Sequence, residues 1–167
     1  MNEIITERLI LKPLKKSDDV SLFELHSDEE VMHFVRRPDT DIFQTKKRIK
    51  EILEYSELNQ NLGLWCVFDK VSSNFLGWGI LVHIEHNQGY PIELGFRLHK
   101  KYWRKGFGSE VASALIQYAQ GLQLKTISAI TREDNIASQK TLVKSGFNFV
   151  DKRSFYNQEV WYYEIGI

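Results

Sequence analysis

The sequence predicts an α+β domain in which helices pack on both faces of a mixed sheet that is mostly antiparallel. Two apolar runs, Leu64–Phe68 and Phe75–Ile84, flank the polar segment Lys70–Asn74, and this pattern is typical of a β-hairpin. Further along the chain, strand-like runs alternate with helix-like runs, as they do where a helix connects parallel strands. Hairpins followed by this alternation therefore indicate a mixed sheet.

The chain ahead of that hairpin carries one strand pattern and three helix patterns. The run Arg8–Leu14 is rich in branched apolar residues and predicts a strand, and Ser17 begins a helix start signal followed by apolar residues. Residues 28–35 predict a second, short helix. The third helix is expected over residues 44–58, where apolar side chains recur at helical spacing: Ile49, Ile52, Leu53 and Tyr55.

The second half of the chain repeats a strand–helix rhythm. Strict alternation predicts a strand over Ile92–Leu98, with Glu93 and Arg97 on the face opposite Leu94. The remaining elements are expected to be a helix over 110–120 closed by Gly121, a strand over 126–131, a helix from Asn135 to Gly146, and a hairpin made by 147–150 and 160–165.

Composition and charge limit the classes of protein. The 167 residues predict one domain over 1–167, and 22 basic residues balance 22 acidic ones, so no overall field favours nucleic acid or a membrane surface. The single cysteine, Cys66, lies in an apolar strand, which favours packing over catalysis and fits a reducing compartment. No signal-peptide layout and no bilayer-length apolar run occur, so we expect a cytoplasmic protein. The five histidines form no set with metal-ligand spacing, and no metal is expected.

The segment Tyr102–Glu110 is the most informative motif for function. Gly106 and Gly108 follow a predicted strand and open a predicted helix, where unpaired N–H groups bind anions. Basic residues precede the glycines and add positive charge: Lys100, Lys101, Arg104 and Lys105. The motif predicts a phosphate-binding turn. A dinucleotide fold is disfavoured, because its glycine turn follows the first strand of a repeated unit.

Four motifs in this order resemble the GCN5-related N-acetyltransferases (GNAT): Thr6–Leu14, Glu93–Leu98, Trp103–Glu110 and the pair Asn135–Ser138 with Lys144–Phe147. The branch they resemble most is the ribosomal-protein N-terminal (RimJ/RimL-like) acetyltransferases. The resemblance implies a splayed sheet of about seven strands whose fourth and fifth strands part to admit the pantetheine arm of acetyl-CoA. It implies cofactor contacts at Phe96, Arg97, Leu98, Arg104, Lys105, Gly106, Phe107, Gly108, Ser109, Asn135 and Ser138.

The resemblance also suggests the catalytic groups, with two departures from the family pattern. Trp103 stands where many members have Gln or Arg, and Leu142 replaces a tyrosine proposed to reprotonate the CoA thiolate. Ser138 is the replacement acid that the close branch offers. Glu93 is the first choice for the base that deprotonates the amine, with Glu159 as the runner-up; Glu110 is better suited to satisfying the helix terminus.

The sequence says least about which amine accepts the acetyl group. Resemblance favours the α-amino group of a protein or peptide, such as a ribosomal protein, while polyamines and antibiotics remain open as acceptors. A catalytically silent acyl-CoA-binding module is the competing class, because the tyrosine is missing. Direct contact with nucleic acid or a membrane is not expected, and the protein is expected to be a monomer or homodimer.

Overall fold

The computed structural model describes residues 1–167 and contains one eight-stranded sheet and five α-helices. The strands are β1 (Ile4–Ile5), β2 (Leu9–Pro13), β3 (Gly63–Asp69), β4 (Phe75–His83), β5 (Ile92–Leu98), β6 (Thr126–Thr131), β7 (Asn148–Phe155) and β8 (Gln158–Gly166). The helices are α1 (Asp19–His26), α2 (Glu29–Met32), α3 (Ile42–Leu58), α4 (Phe107–Gly121) and α5 (Ile136–Lys144). Short 3₁₀ turns occupy 16–18, 84–86 and 100–102.

The sheet is antiparallel everywhere except at its centre. The strand order is β1-β2-β3-β4-β5-β6-β8-β7, and only β5 and β6 run parallel, joined by the crossover helix α4. The predicted mixed, mostly antiparallel sheet is confirmed. It has eight strands rather than about seven, because the two-residue β1 pairs with β2 and is too short to give a sequence period. The expected fourth strand is therefore β5.

Several elements are longer or shorter than the sequence indicates. Helix α4 begins at Phe107, three residues earlier than predicted, because Gly106 supplies a left-handed backbone at φ +80° immediately before it. The expected helix over 28–35 shrinks to the four residues of α2. Strands β7 and β8 extend until they meet in a two-residue turn at Tyr156 and Asn157, whose φ values are 52° and 58°.

The helices pack on both faces of the sheet, as predicted. On one face α4 and α5 cover the larger core, and α4 approaches so closely that a Cβ at Gly79 would lie 2.8 Å from Val111. On the other face α1 and α3 contribute Leu22 and Ile49 to a smaller core that includes Cys66. Cys66 is fully buried, and burial raises the pKa of its thiol, so packing is the role its environment supports. None of the helices combines the length and apolar character needed to cross a membrane.

Candidate functional site

A wedge opens between the two parallel strands at the centre of the sheet. Strands β5 and β6 are in register at Glu93 and Ser128, and the buried Ser128 hydroxyl donates to the Ile92 carbonyl at 2.9 Å. No residues of β5 and β6 are paired beyond Glu93 and Ser128, so the two strands separate towards their carboxyl ends. The carboxyl ends of parallel strands are where open α/β sheets bind ligands. Glu93 therefore lies at the apex of a cleft whose mouth holds the turns that follow β5 and β6.

The glycine turn at the mouth of this wedge presents a row of free donors. The backbone N–H groups of residues 104–109, six in succession, have no acceptor within the protein, and the first helical bond of α4 is made by Glu110 to the Gly106 carbonyl at 3.1 Å. No side chain caps the helix. The macrodipole of this 15-residue helix adds partial positive charge at the same end. Successive free N–H donors of this kind suit an anion, which is the ligand that the motif predicts for this turn.

Hydrogen bonds from distant residues fix the position of this turn. The Trp103 indole donates to the Leu98 carbonyl at 2.7 Å and holds the turn against the end of β5. Arg8 donates to the Lys105 carbonyl at 3.0 Å and forms an ion pair with Glu110 at 2.6 Å. Glu110 also accepts from the Thr6 hydroxyl at 2.6 Å, so it ties the first strands to α4. This is a different role from the capping of the helix terminus expected for Glu110.

The predicted cofactor residues near the turn fall into two groups by what their side chains contact. Arg104 and Lys105 are exposed beside the free donors, and Ser109 is half-buried in the first turn of α4. Leu98 is buried in the core, and Phe96 packs against Gly108 so closely that a Cβ at Gly108 would lie 2.9 Å from its ring. Any contact of Leu98 with a ligand in the wedge would therefore be made by its main chain, whereas the Phe96 side chain is only partly buried.

The second wall of the wedge ends at the start of α5. Asn135 is the N-cap of this helix, and its side-chain oxygen accepts from the Ser138 N–H at 3.2 Å. The Ser138 hydroxyl forms no hydrogen bond within the protein, and the residue is half-buried. Leu142, one turn further on, is 2% exposed and belongs to the core. Of these positions, only Ser138 has a side-chain proton to give at this end of the wedge.

Glu93 is held by the C-terminal hairpin. The Tyr156 hydroxyl donates to Glu93 Oε2 at 3.2 Å and accepts from the Glu85 N–H at 2.9 Å, while the Tyr156 N–H donates to Glu85 Oε1 at 2.6 Å. Burial raises the pKa of Glu93 to about 7, although the bond from Tyr156 opposes the shift. A carboxyl group with this pKa exchanges protons at neutral pH, as a general base must.

The other acidic candidate has a different environment. Glu159 lies on β8 with its side chain 69% exposed, and it forms an ion pair with Lys152 at 3.4 Å. Lys152 is shared with Glu133 at 3.2 Å, so Glu159 belongs to a solvated surface network. Nothing in that network desolvates the carboxylate. The structure therefore favours Glu93 over Glu159 as the base.

Two side chains of this site make contacts that the sequence does not indicate. Tyr156 bonds to Glu93, which lies 63 positions away in the chain. The local signal was for the turn itself, since Asn157 is a residue that tolerates the left-handed backbone of a hairpin turn. The other side chain is that of Arg97, for which the resemblance implies a cofactor contact. It lies on the α1/α3 face with Glu93, not on the face that packs against α4, and it contacts Trp78 and Met32.

Comparison with protein families matches most of the chain. A family model described as an acetyltransferase (GNAT) domain matches residues 8–148. The chain is 34% identical over 130 residues to an uncharacterized N-acetyltransferase, YjdG, of Bacillus subtilis, covering 75% of this chain and 74% of that protein. It is 30% identical over 149 residues to the uncharacterized N-acetyltransferase p20 of Bacillus licheniformis, covering 88% and 83%.

Solved structures share the fold at lower identity. The ribosomal-protein-S5-alanine acetyltransferase of Vibrio fischeri superposes with a TM-score of 0.80 at 18% identity, covering 99% of this chain and 97% of that one. RimL, a ribosomal L7/L12 α-N-protein acetyltransferase in complex with coenzyme A, gives 0.82 at 16% identity, covering 99% and 98%. An aminoglycoside acetyltransferase, AAC(6')-Ib, in complex with coenzyme A gives 0.79 at 11%, covering 95% and 94%.

Proposed function

Because the chain belongs to the GNAT acetyltransferase family, we propose that this acetyl-CoA-dependent enzyme acetylates the α-amino group of a protein or peptide. The observation that carries the proposal is Glu93. It is a carboxyl group whose pKa is raised to about 7, and it lies at the apex of a wedge that ends in six free backbone donors. A base and an anion-binding turn at opposite ends of one cleft suit a long, phosphate-bearing acyl donor.

The residues of the wedge fit acetyl-CoA. Its pyrophosphate needs several main-chain donors, and residues 104–109 supply them beside the cationic Arg104 and Lys105. Its pantetheine arm needs an opening between two strands, and β5 and β6 separate beyond Glu93. The thioester would then lie between Glu93 and the start of α5, where Asn135 and Ser138 are found.

The transfer requires three tasks of the protein. Glu93, as the carboxylate, accepts the proton of the acceptor ammonium directly or through a water, and the free amine then attacks the thioester carbonyl. Backbone N–H groups hold the oxyanion that develops on that carbonyl. As the carbon–sulfur bond breaks, the nitrogen of the adduct loses its second proton to water, and Ser138 gives its hydroxyl proton to the departing thiolate while it takes a proton back from that water. No covalent intermediate on the protein is required, which agrees with the inert environment of Cys66.

Charge favours a protein or peptide acceptor over a polycationic amine. The fold alone does not distinguish them, because the chain shares it with ribosomal-protein acetyltransferases and with an aminoglycoside acetyltransferase. Arg97 lies on the same face as Glu93 and is not neutralised by any carboxylate, and it would repel a polycationic acceptor such as a polyamine or an aminoglycoside.

A thiol-release assay with acetyl-CoA tests the proposal. The acceptors are pooled peptides with free N-termini, polyamines and aminoglycosides, and we expect release with the peptide pool. Glu93→Gln should lower kcat/KM by at least about a hundredfold, the lower end for loss of a general base. Glu159→Gln is the matched control and should change it less than about twofold. Ser138→Ala, if Ser138 is the acid, should lower kcat with acetyl-CoA affinity retained.

Other outcomes of the same assay would reject parts of the proposal. Release with polyamines or aminoglycosides alone would reject the peptide acceptor. Tight acetyl-CoA binding without release from any pool would support a silent binding module. A larger loss of activity in Glu159→Gln than in Glu93→Gln would exchange the roles of the two carboxylates.

A further inference from the structure

Arg97 is a cation without a counter-ion on the face of β5 that carries Glu93. Its guanidinium stacks 4.7 Å over the ring of Trp78, and Nη1 lies 3.1 Å from the sulfur of Met32 in α2. None of the ion pairs in the protein includes it. Burial, together with the charge of Arg36, lowers the pKa of Arg97 to about 9, so the group is still charged at neutral pH. A half-buried charge without an anionic partner is costly unless a ligand supplies one.

The carboxylate closest to satisfying Arg97 is already engaged. Asp39 is buried, and it accepts hydrogen bonds from Arg36 at 2.5 Å, from the Thr45 hydroxyl at 2.6 Å and from Arg48. His26, which accepts from the Trp78 indole at 3.1 Å, adds no negative charge, and burial lowers its pKa to about 3. Two guanidinium groups, those of Arg36 and Arg48, thus occupy the Asp39 carboxylate, which forms no bond with Arg97. The region over Arg97 carries an excess of positive charge.

Between this charge and the base, β5 itself contributes no side chain. Gly95 lies between Glu93 and Arg97 on the same face of β5, because side chains alternate along a strand. A Cβ at Gly95 would lie 3.1 Å from Ile80 Cγ2, 3.9 Å from Glu93 Oε1 and 3.9 Å from the Trp78 ring. The backbone at Gly95 is therefore bordered by side chains of β4 and by Glu93, and Glu93 and Arg97 are the two charged groups on this face of β5.

We propose that Arg97 binds a carboxylate of the acceptor, and that the acceptor is a peptide N-terminus with an acidic side chain at its third or fourth residue. The spacing rests on the proposed function, which sets the reactive amine at Glu93. Four residue steps along the strand separate the Cα atoms of Glu93 and Arg97 by about 13 Å. An extended peptide advances about 3.3–3.6 Å per residue, so the Cα of its third or fourth residue lies about 7–11 Å from the first, and the length of an acidic side chain covers the remaining distance to Arg97. The planar guanidinium can bind a carboxylate through two parallel hydrogen bonds.

The test measures binding and turnover separately. Peptides of one length with a free N-terminus carry Glu, Gln or Lys at position 2, 3, 4 or 6. Their affinity for the CoA-saturated protein is measured by calorimetry, and kcat/KM is measured by thiol release. We expect Glu at position 3 or 4 to bind about tenfold to a hundredfold more tightly than Gln, as for a charge-assisted hydrogen bond, and Lys to bind more weakly than Gln.

Two variants and a control assign this preference to Arg97. Arg97→Gln should abolish the difference in affinity between Glu and Gln peptides, and Arg97→Lys should keep part of that difference. Arg153→Gln is the matched control, because Arg153 also stacks on an aromatic ring, that of Tyr162 at 3.5 Å, but is paired with Asp151 at 2.7 Å. The control should leave the preference intact.

The outcomes separate this inference from the proposed function. Equal affinity for Glu and Gln peptides at every position, or a preference that survives Arg97→Gln, overturns the carboxylate site even if peptides are acetylated. A preference at position 2 or 6 overturns the spacing. A preference at position 3 or 4 that depends on Arg97, without any thiol release, supports the carboxylate site and rejects the acetylation of peptides.

Discussion

Glu93 and Tyr156 bring two opposing effects together at one carboxyl group. Burial raises the pKa of Glu93 to about 7, while the hydrogen bond from the Tyr156 hydroxyl favours the ionised form and limits the rise. The same hydroxyl accepts from the Glu85 N–H, which orients its proton towards Glu93. Tyr156 is therefore a positioning residue for the base.

The Tyr156→Phe variant should shift the pH dependence of the enzyme. Because the base acts only when ionised, kcat/KM should rise with pH through a limb near 7 in the unsubstituted enzyme. Loss of the hydroxyl removes a bond to the carboxylate, so the pKa of Glu93 rises and the limb moves to higher pH. Activity should therefore fall most below neutral pH and recover in alkaline solution. If the limb of the pH profile lay at the same pH in Tyr156→Phe as in the unsubstituted enzyme, Tyr156 would not control the pKa of Glu93.

The hydrogen bonds that hold the start of helix α4 in place leave its backbone N–H groups free to bind an anion. Glu110 is bound by Thr6 and Arg8, so the only acid in the first turn is neutralised by the first strands and leaves the N–H groups of 104–109 free. Burial would raise the pKa of Glu110, but its hydrogen bonds to Thr6 and Arg8 outweigh this and lower it. The carboxylate therefore stays ionised where it holds the turn.

A negative charge added to this turn should separate helix stability from anion binding. Ser109→Asp places a carboxylate in the first turn, where it favours the helix dipole, so the melting temperature should be unchanged or higher. The same charge should raise the Kd for acetyl-CoA at least about tenfold by repelling the pyrophosphate. Ser113→Asp, one turn later on an exposed position, is the control and should bind normally. Equal affinities of the two variants would mean that the pyrophosphate binds elsewhere.

At the scale of the whole molecule, a buried ionic cluster joins the helices of the α1/α3 face to the sheet. Asp39 receives bonds from Arg36 and from Thr45 and Arg48 of α3, and its N–H donates to the carbonyl of His26 at 2.9 Å. His26 in turn accepts from Trp78 of β4. The cluster therefore ties the helices of this face to β4, the strand that pairs with β5 beside Arg97.

The Asp39→Asn variant should lose stability in a pH-dependent way. Burial would raise the pKa of Asp39, but the bonds from Thr45, Arg36 and Arg48 outweigh it and lower the pKa to about 2. Because the pKa of Asp39 is lower in the folded protein than in the unfolded chain, where it is near 4, the ionised carboxylate stabilises the fold fully at pH values above about 4. This contribution is lost as the pH falls towards 2. At pH 7 the free energy of unfolding of the variant should be about 2 kcal/mol lower than that of the unsubstituted protein. The difference between the two proteins should disappear by pH 2.

Urea unfolding at a series of pH values measures this gap. Glu57→Gln, an exposed position on the same helix α3 as Thr45 and Arg48, is the control and should change stability by less than about 0.5 kcal/mol. A gap that stays constant from pH 7 to pH 2 would contradict the assignment, because it would arise from packing and not from the charge of Asp39.

Much of the fold could be predicted from the sequence, because the signals are local. The alternation in Ile92–Leu98, the helical spacing in 44–58 and the glycines at 106 and 108 each act within a few residues. The boundaries were less predictable. Helix α4 starts early because Gly106 adopts a left-handed backbone, and β1 is too short to show a period.

The sequence by itself determined the mixed sheet, since residue type and periodicity carry that information. The glycine motif predicted the turn at 104–109, and the resemblance to the GNAT family suggested Glu93 as the base. Only the tertiary structure decided that Tyr156 is the partner of Glu93, that Arg8 anchors the glycine turn, and that Arg97 has no counter-ion. These contacts join residues up to about a hundred positions apart, or depend on a carboxylate, Asp39, that other groups already occupy. The desolvation and pairing of charged groups depend on the packing of the whole chain, which no local pattern encodes.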